Sequence, residues 1–306
     1  MILVIKKNEF KSGYVALLGK PNVGKSTLLN YFLKQKLSIV CAKPQTTRQN
    51  ILGIVNTDSC QIIFVDTPGV HHPKDVLGKN MLKQAVYAGN DADQTLVLLD
   101  AVSGITANDR MIFKIVKDRQ KHSCLSWTAV LFNKIDLVKK NFALPLIDIC
   151  RKELKADAYI PISARTGCNL DLVLENIIEH LPAGSAYYPL EQLTDKNERY
   201  IIAELIREQA LEFCLEEVPH CVAVTVEAYQ QRAGRKMLIR ANIFVERSSQ
   251  KMIIIGKNGA MLKQIGTAAR QQIEDFLDQK IYLQLWVKVH TNWRKDKNFL
   301  EKLKST

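Results

Sequence analysis

Gly19-Lys20-Pro21-Asn22-Val23-Gly24-Lys25-Ser26-Thr27 fits the pattern G-x-x-x-x-G-K-[ST] and sits where a strand should pass into a helix. Upstream, Tyr14-Val15-Ala16-Leu17-Leu18 is the short apolar run of a fully buried parallel strand, and downstream, Thr27 to Leu33 reads as helix. The two glycines let the backbone wrap closely round phosphates, so that N–H groups and the positive end of the helix point at the anion. Lys25 adds a cation at the β- and γ-phosphates, and Ser26 offers its hydroxyl to the Mg²⁺ that bridges them. The stretch therefore predicts a nucleoside triphosphate site.

Asn133-Lys134-Ile135-Asp136 follows the apolar run Thr128 to Phe132, at the carboxyl end of a strand, where ligands gather in open α/β sheets. Its chemistry selects guanine. The Asp136 carboxylate accepts two parallel bonds from the ring N–H and exocyclic amine of that base, whereas adenine would leave it buried and unpaired. Asn133 is expected to tie this loop to the phosphate loop, and the stem of Lys134 to cover the base. Between the two motifs lies Asp66-Thr67-Pro68-Gly69, again after an apolar run, Ile62 to Val65. Asp66 suits the Mg²⁺ shell, and the unhindered N–H of Gly69 suits detection of the γ-phosphate. The polar segment 34–50, with Pro44-Gln45-Thr46-Thr47-Arg48, reads as a first switch. One of its threonines, Thr47 in preference to Thr46, is expected at the metal with Ser26 and Asp66. Ser163-Ala164 would bring a backbone N–H to the guanine oxygen.

These elements, in this order, resemble the TRAFAC class of GTPases over about residues 12–182. After Gly69 comes Val70, where Ras-like proteins place a glutamine that orients the attacking water. The Val70 side chain has no hydrogen-bonding group, so hydrolysis is expected to be slow or assisted from elsewhere. In related GTPases with an apolar residue here, an asparagine at the position of Asn22 helps hold a K⁺ ion against the phosphates. The resemblance thus implies Lys25, Asn22 and Thr47 as catalytic groups, with GTP, Mg²⁺ and K⁺ as bound species. The opposing reading is a binding module with nucleotide as a structural ligand and no useful turnover.

The chain has 306 residues, 47% of them hydrophobic, which suits two domains with real cores. No apolar run approaches the ~18 residues of a membrane span, and Met1 to Ile5 is too short for a signal peptide. Seven scattered cysteines without C-x-x-C spacing read as reduced thiols. The net charge of +12 hints at a polyanionic partner. Residues 1–182 hold 24 basic and 16 acidic side chains, 183–227 hold 3 and 9, and 228–306 hold 16 and 6, so the last stretch is the basic footprint.

The Pro-containing, small-residue stretch Leu181 to Ala186 marks a boundary, giving an α/β domain at 1–182 with a mostly parallel sheet, a linker at 183–195 and an α+β domain at 196–306. Lys196 to Glu216 reads as helix, with Glu204, Glu208, Glu212 and Glu216 as a solvated carboxylate face. Strands are expected at 221–227 and 236–245, joined by a basic turn over 230–235. A helix over 249–255, the turn Gly256-Lys257-Asn258-Gly259, a helix over 260–279 and a strand over 281–290 follow. This order resembles a type II KH domain. Its G-x-x-G turn would press against a sugar-phosphate backbone, with Lys257, Lys263 and Arg270 supplying charge, while Ile253, Ile254 and Ile255 line a groove for unstacked bases. The tail His290 to Lys297, with Trp293, would flank RNA, touch a membrane surface, or end in solvent.

Taken over nearly the whole chain, the two domains resemble the bacterial Era GTPases. That resemblance implies a monomeric, cytoplasmic switch whose KH groove binds the 3′ end of 16S ribosomal RNA during 30S subunit assembly, with peripheral association to anionic membrane.

Overall fold

The computed structural model describes residues 9–41, 43, 46–73, 76–122, 126–139, 143–214, 218–232 and 234–305. Pro44 and Gln45 of the expected first switch, and Cys124, lie outside them. The chain divides into two compact units. The first holds Met1–Gln35, Asn50–His72 and Met81–Asp195, and the second holds Lys36–Gln49, Pro73–Asn80 and Lys196–Thr306.

Six strands build the first unit: β1 (Lys11–Gly19), β2 (Ile51–Asn56), β3 (Cys60–Asp66), β4 (Gln94–Asp100), β5 (Trp127–Asn133) and β6 (Ala158–Pro161). Their order in the sheet is β2-β3-β1-β4-β5-β6. All neighbours are parallel except β2 and β3. Helices α1 (Lys25–Leu33), α3 (Ala107–His122), α4 (Ala143–Glu153) and α5 (Leu170–His180) connect or follow strands, while α2 (Val76–Asp91) begins in the second unit and ends in the first. Covered central strands need side chains apolar on both faces, and β3 and β5 are buried along their whole length. Parallel register aligns the strand ends: Leu17 lies opposite Asp66, Asp100 opposite Asn133, and Phe132 opposite Pro161. The loops after β1, β3, β5 and β6 therefore open on one edge of the sheet. Residues 183–195, expected as a linker, belong to this unit. Ala183 bridges Lys11, Thr194 bridges Gly53, and Gln61 accepts from the N–H groups of Tyr187 and Tyr188.

The second unit has α6 (Glu198–Phe213), β7 (Ala223–Arg232), β8 (Arg235–Val245), α7 (Ser248–Ile255), α8 (Ala260–Leu277), β9 (Ile281–Val289) and α9 (Lys297–Ser305). β7 and β8 are antiparallel, and β9 runs parallel to β8 at the sheet edge. The hairpin is tighter than the expected basic turn, because β7 extends to Arg232 and pairs it with Arg235.

Three expectations are corrected in this unit. Of the carboxylates expected as a solvated face, Glu212 is exposed and Glu216 lies outside the described residues, but Glu204 and Glu208 are covered. Glu208 is 3% exposed and accepts from the N–H of Val40 and the amine of Lys36. Glu204 pairs with Arg207, whose guanidinium also donates to the Thr46 carbonyl. Lys36 and Val40 supply the charge and the N–H that let Glu208 go under cover. The tail is likewise no loose end, since Trp293 is 0% exposed, donates through Nε1 to the Cys221 carbonyl at 2.8 Å, and lies beneath the Arg48 guanidinium. Ile254 is also 0% exposed, so it belongs to the core rather than a groove wall. Helical periodicity turns Met252 and Ile253, at 65% and 48% exposure, outward instead.

Candidate functional site

β1 delivers the phosphate loop, and its conformation depends on what lies behind it. Gly24 has φ +103°, and a Cβ there would fall 2.2 Å from Asn133 Nδ2. Gly69 meets the same limit from the other side, because its Cβ would fall 2.6 Å from the Pro21 nitrogen. The loop after β3 thus meets the phosphate loop at its backbone, and the side chain of Asn133, at the end of β5, presses against Gly24. Asn133 makes the clasp: its Nδ2 donates to the Val23 carbonyl at 2.7 Å, and its Oδ1 accepts from the N–H groups of Lys134 and Ala164, each at 2.8 Å. Ala164 therefore spends on Asn133 the N–H expected at the guanine oxygen.

Lys25 is 5% exposed and donates to the carbonyls of Gly19 and Lys20, both at 3.1 Å. Burial pushes its amine down to about 8, against the charge of Asp66, which raises it. Ser26 Oγ donates to Asp66 Oδ2 at 2.7 Å. A hydroxyl and a carboxylate in contact, beside a buried amine and a glycine-lined loop, form a donor set that fits Mg²⁺ with a phosphate chain. Thr47, the third expected ligand, falls in the second unit and is 7% exposed. Thr46 Oγ1 there donates to the Lys43 carbonyl at 2.6 Å.

Asp136 accepts from Ser163 Oγ at 2.7 Å and from Arg165 at 2.6 Å. The Ser163 bond, ahead of Arg165, holds its carboxyl below the usual range. Lys134, at φ +68°, reaches Asp100 at 2.7 Å.

Several expected residues point elsewhere. The Lys20 amine is turned away, donating to Asp109 at 2.9 Å and Ser103 at 2.8 Å. Thr67 is 0% exposed and donates to the Leu17 carbonyl at 2.6 Å. Val23 and Val70 are core side chains, the N–H of Val70 donating to the Gly19 carbonyl at 3.0 Å. Pro21, Asn22, Pro68 and Ile135 sit within the same loops, with Asn22 exposed at φ 60°, and Thr27 lies in the first turn of α1. Asp100, Asp109 and Arg165 were not found from sequence. Asp100 ends an apolar run as Asp66 does and was open to the same reading, whereas the other two carry no local signal.

In the second unit, Lys257–Gly259 forms a 3₁₀ turn between α7 and α8, with Asn258 left-handed at φ 52°. Lys257, Lys263 and Arg270 are exposed, Gly256 and Ile255 half-buried.

A strand-ended phosphate loop clasped to an N-K-x-D loop, joined to a separate α+β unit with a G-x-x-G turn, defines a guanine nucleotide-binding protein with a KH module. Comparison with known proteins agrees: the model of a family described as 50S ribosome-binding GTPase matches residues 14–134, and the KH domain model matches 217–294. The GTPase Era of Lactobacillus helveticus is 43% identical over 299 residues, spanning 98% of this chain and 97% of that one. Two solved structures, each 40% identical with TM-score 0.90 and covering 95% of this chain and 98% of the other, are an Aquifex aeolicus Era variant bound to GDP and AlF₄⁻ and an Era in complex with MgGDPNP and nucleotides 1506–1542 of 16S ribosomal RNA. The chain belongs to the Era family of GTPases.

Proposed function

We propose that this GTPase is a switch that binds and hydrolyses GTP, grips the 3′ end region of 16S ribosomal RNA through its KH domain, and acts in 30S subunit assembly. The observation that carries the reading is the Asn133 clasp, which holds the phosphate loop and the base-reading loop as one body, in a family with a member solved on both a GTP analogue and that RNA. The loop 19–27 would receive the phosphates and Asp136 the base, exchanging Ser163 and Arg165 for guanine N–H groups. Ser26 and Asp66, joined by Thr47 when the first switch closes, would hold Mg²⁺, which neutralises charge on the phosphates. Val70 is fully buried and cannot orient water, so Asn22 is assigned to a K⁺ that assists turnover. The RNA would meet Gly256–Gly259, Lys257, Lys263, Arg270 and the outward Ile253.

The functional domains we favour are 1–182 and 196–306, with 183–195, which packs with the first, as the connection. No described helix is long and apolar enough to cross a membrane. We place the protein in the cytoplasm as a monomer, with peripheral association to anionic membrane carried by its basic charge. Calorimetry with GTP, ATP and the 1506–1542 RNA tests the reading: guanine-selective binding with RNA affinity lost in Lys257→Asp supports it, and ATP binding as well as GTP would refute it. Phosphate release faster in K⁺ than in Na⁺ tests the role of Asn22.

A further inference from the structure

Helix α3 carries a row of cations that the nucleotide site does not use. Arg110, Lys114, Lys117 and Lys121 recur three and four residues apart, so they share one exposed face of the helix. Like charges at these spacings repel, a cost to the helix that the fold itself does not require. The row lines one wall of a cleft of about 540 Å³ whose other wall is the end of α4, with Lys152 and Glu153, and which Phe113 also lines. Two of the cations are answered within the protein: Arg110 is bonded to Glu153 at 2.9 Å, and Lys121 to Asp118 at 3.0 Å. Among the described residues, no ion pair engages Lys114, Lys117 and Lys152, which line the cleft from both helices.

We propose that this cleft is a second nucleic-acid contact, taking an RNA phosphate backbone on the GTPase unit independently of the KH groove. Cations on two walls of a concavity suit a rod of phosphates, whereas a flat bilayer would be met by a convex face with apolar side chains at its centre. The proposal rests on the RNA-binding reading above. A G-x-x-G turn clamps about four nucleotides, so most of an RNA such as 1506–1542 lies outside that groove and is open to other contacts.

The test uses the full chain and the 1506–1542 RNA, followed by fluorescence anisotropy across a KCl titration. The triple variant Lys114→Gln, Lys117→Gln, Lys152→Gln should bind about tenfold to a hundredfold more weakly at low salt, and the slope of log affinity against log salt should fall by about two. Lys79→Gln, Lys83→Gln, Lys139→Gln, which removes the same net charge elsewhere, should leave the slope unchanged, and GTP turnover without RNA should match the parent in both. An unchanged slope in the cleft variant, while Lys257→Asp abolishes binding, overturns the second contact and leaves the KH reading standing. If Lys257→Asp also binds normally, the RNA-binding reading itself fails. If the cleft variant keeps its RNA affinity and loses binding to phosphatidylglycerol vesicles, the occupant is a membrane and the proposal is wrong.

Discussion

In the role proposed for it, Asp136 is suited to read guanine because its surroundings keep it ionised while leaving it exchangeable. The Ser163 hydroxyl and the Arg165 guanidinium, the latter on a largely exposed side chain, occupy the Asp136 carboxylate, and on the proposed reading guanine replaces them. Removing the carboxylate forfeits charge-assisted bonds of about 1.5–3 kcal/mol each. Asp136→Ala should therefore weaken GTP at least about a hundredfold in calorimetry while leaving weak ATP binding as it was. Lys25 gives a second residue-scale prediction. Its amine carries the charge proposed to draw phosphate, and in the nucleotide-free protein that charge is lost as pH rises through about 8. Nucleotide affinity should be flat below that pH and fall above it, by up to about tenfold per unit, because the bound phosphate would hold the proton. The same depression means that the unfolded chain holds more protons between about 8 and the usual lysine value, so the nucleotide-free fold should gain stability across that window. Asp136 and Lys25 were legible as residue types at fixed spacing. The side-chain direction of Lys20 was not, because Asp109, 89 residues on, sets it.

At the scale of elements, the strand-to-loop handovers were readable because parallel strands covered on both faces are continuous apolar runs that end abruptly in polar motifs. Helix α6 and the tail were not, and for one reason. A glutamate every four residues looks the same whether it meets water or a distant lysine, and Glu208 meets Lys36, 172 residues away. Trp293 is likewise roofed by Arg48 and bonded to Cys221, neither of them near it in sequence. These elements carry stability predictions. Trp293→Ala should cost the second unit about 3–5 kcal/mol as a large cavity in its core. Glu208→Ala should cost about 1–3 kcal/mol, chiefly by stranding the part-buried Val40 N–H, while Glu212→Ala should cost far less. Thermal or urea unfolding that ranks the three in that order supports the packing described, and a Trp293→Ala protein as stable as the parent would contradict it.

Across the whole molecule, the order of motifs disclosed two functions on two folded bodies, and the resemblance named their partners. What sequence order concealed is that a segment joining α1 to β2, residues 36–49, packs as part of the second unit. On the proposed switch, a nucleotide that drew Thr47 to its metal would compete with the bonds Lys36, Val40, Thr46 and Arg48 make there. Coupling of this kind is reciprocal, so the γ-phosphate should alter RNA affinity by the factor with which RNA alters affinity for the triphosphate. The direct test is calorimetric titration of the 1506–1542 RNA into the protein saturated with GDPNP and, separately, with GDP. A difference of at least about tenfold in Kd, matched by the same factor when RNA is bound first, is the result this account predicts. Equal affinities in the two nucleotide states would contradict it.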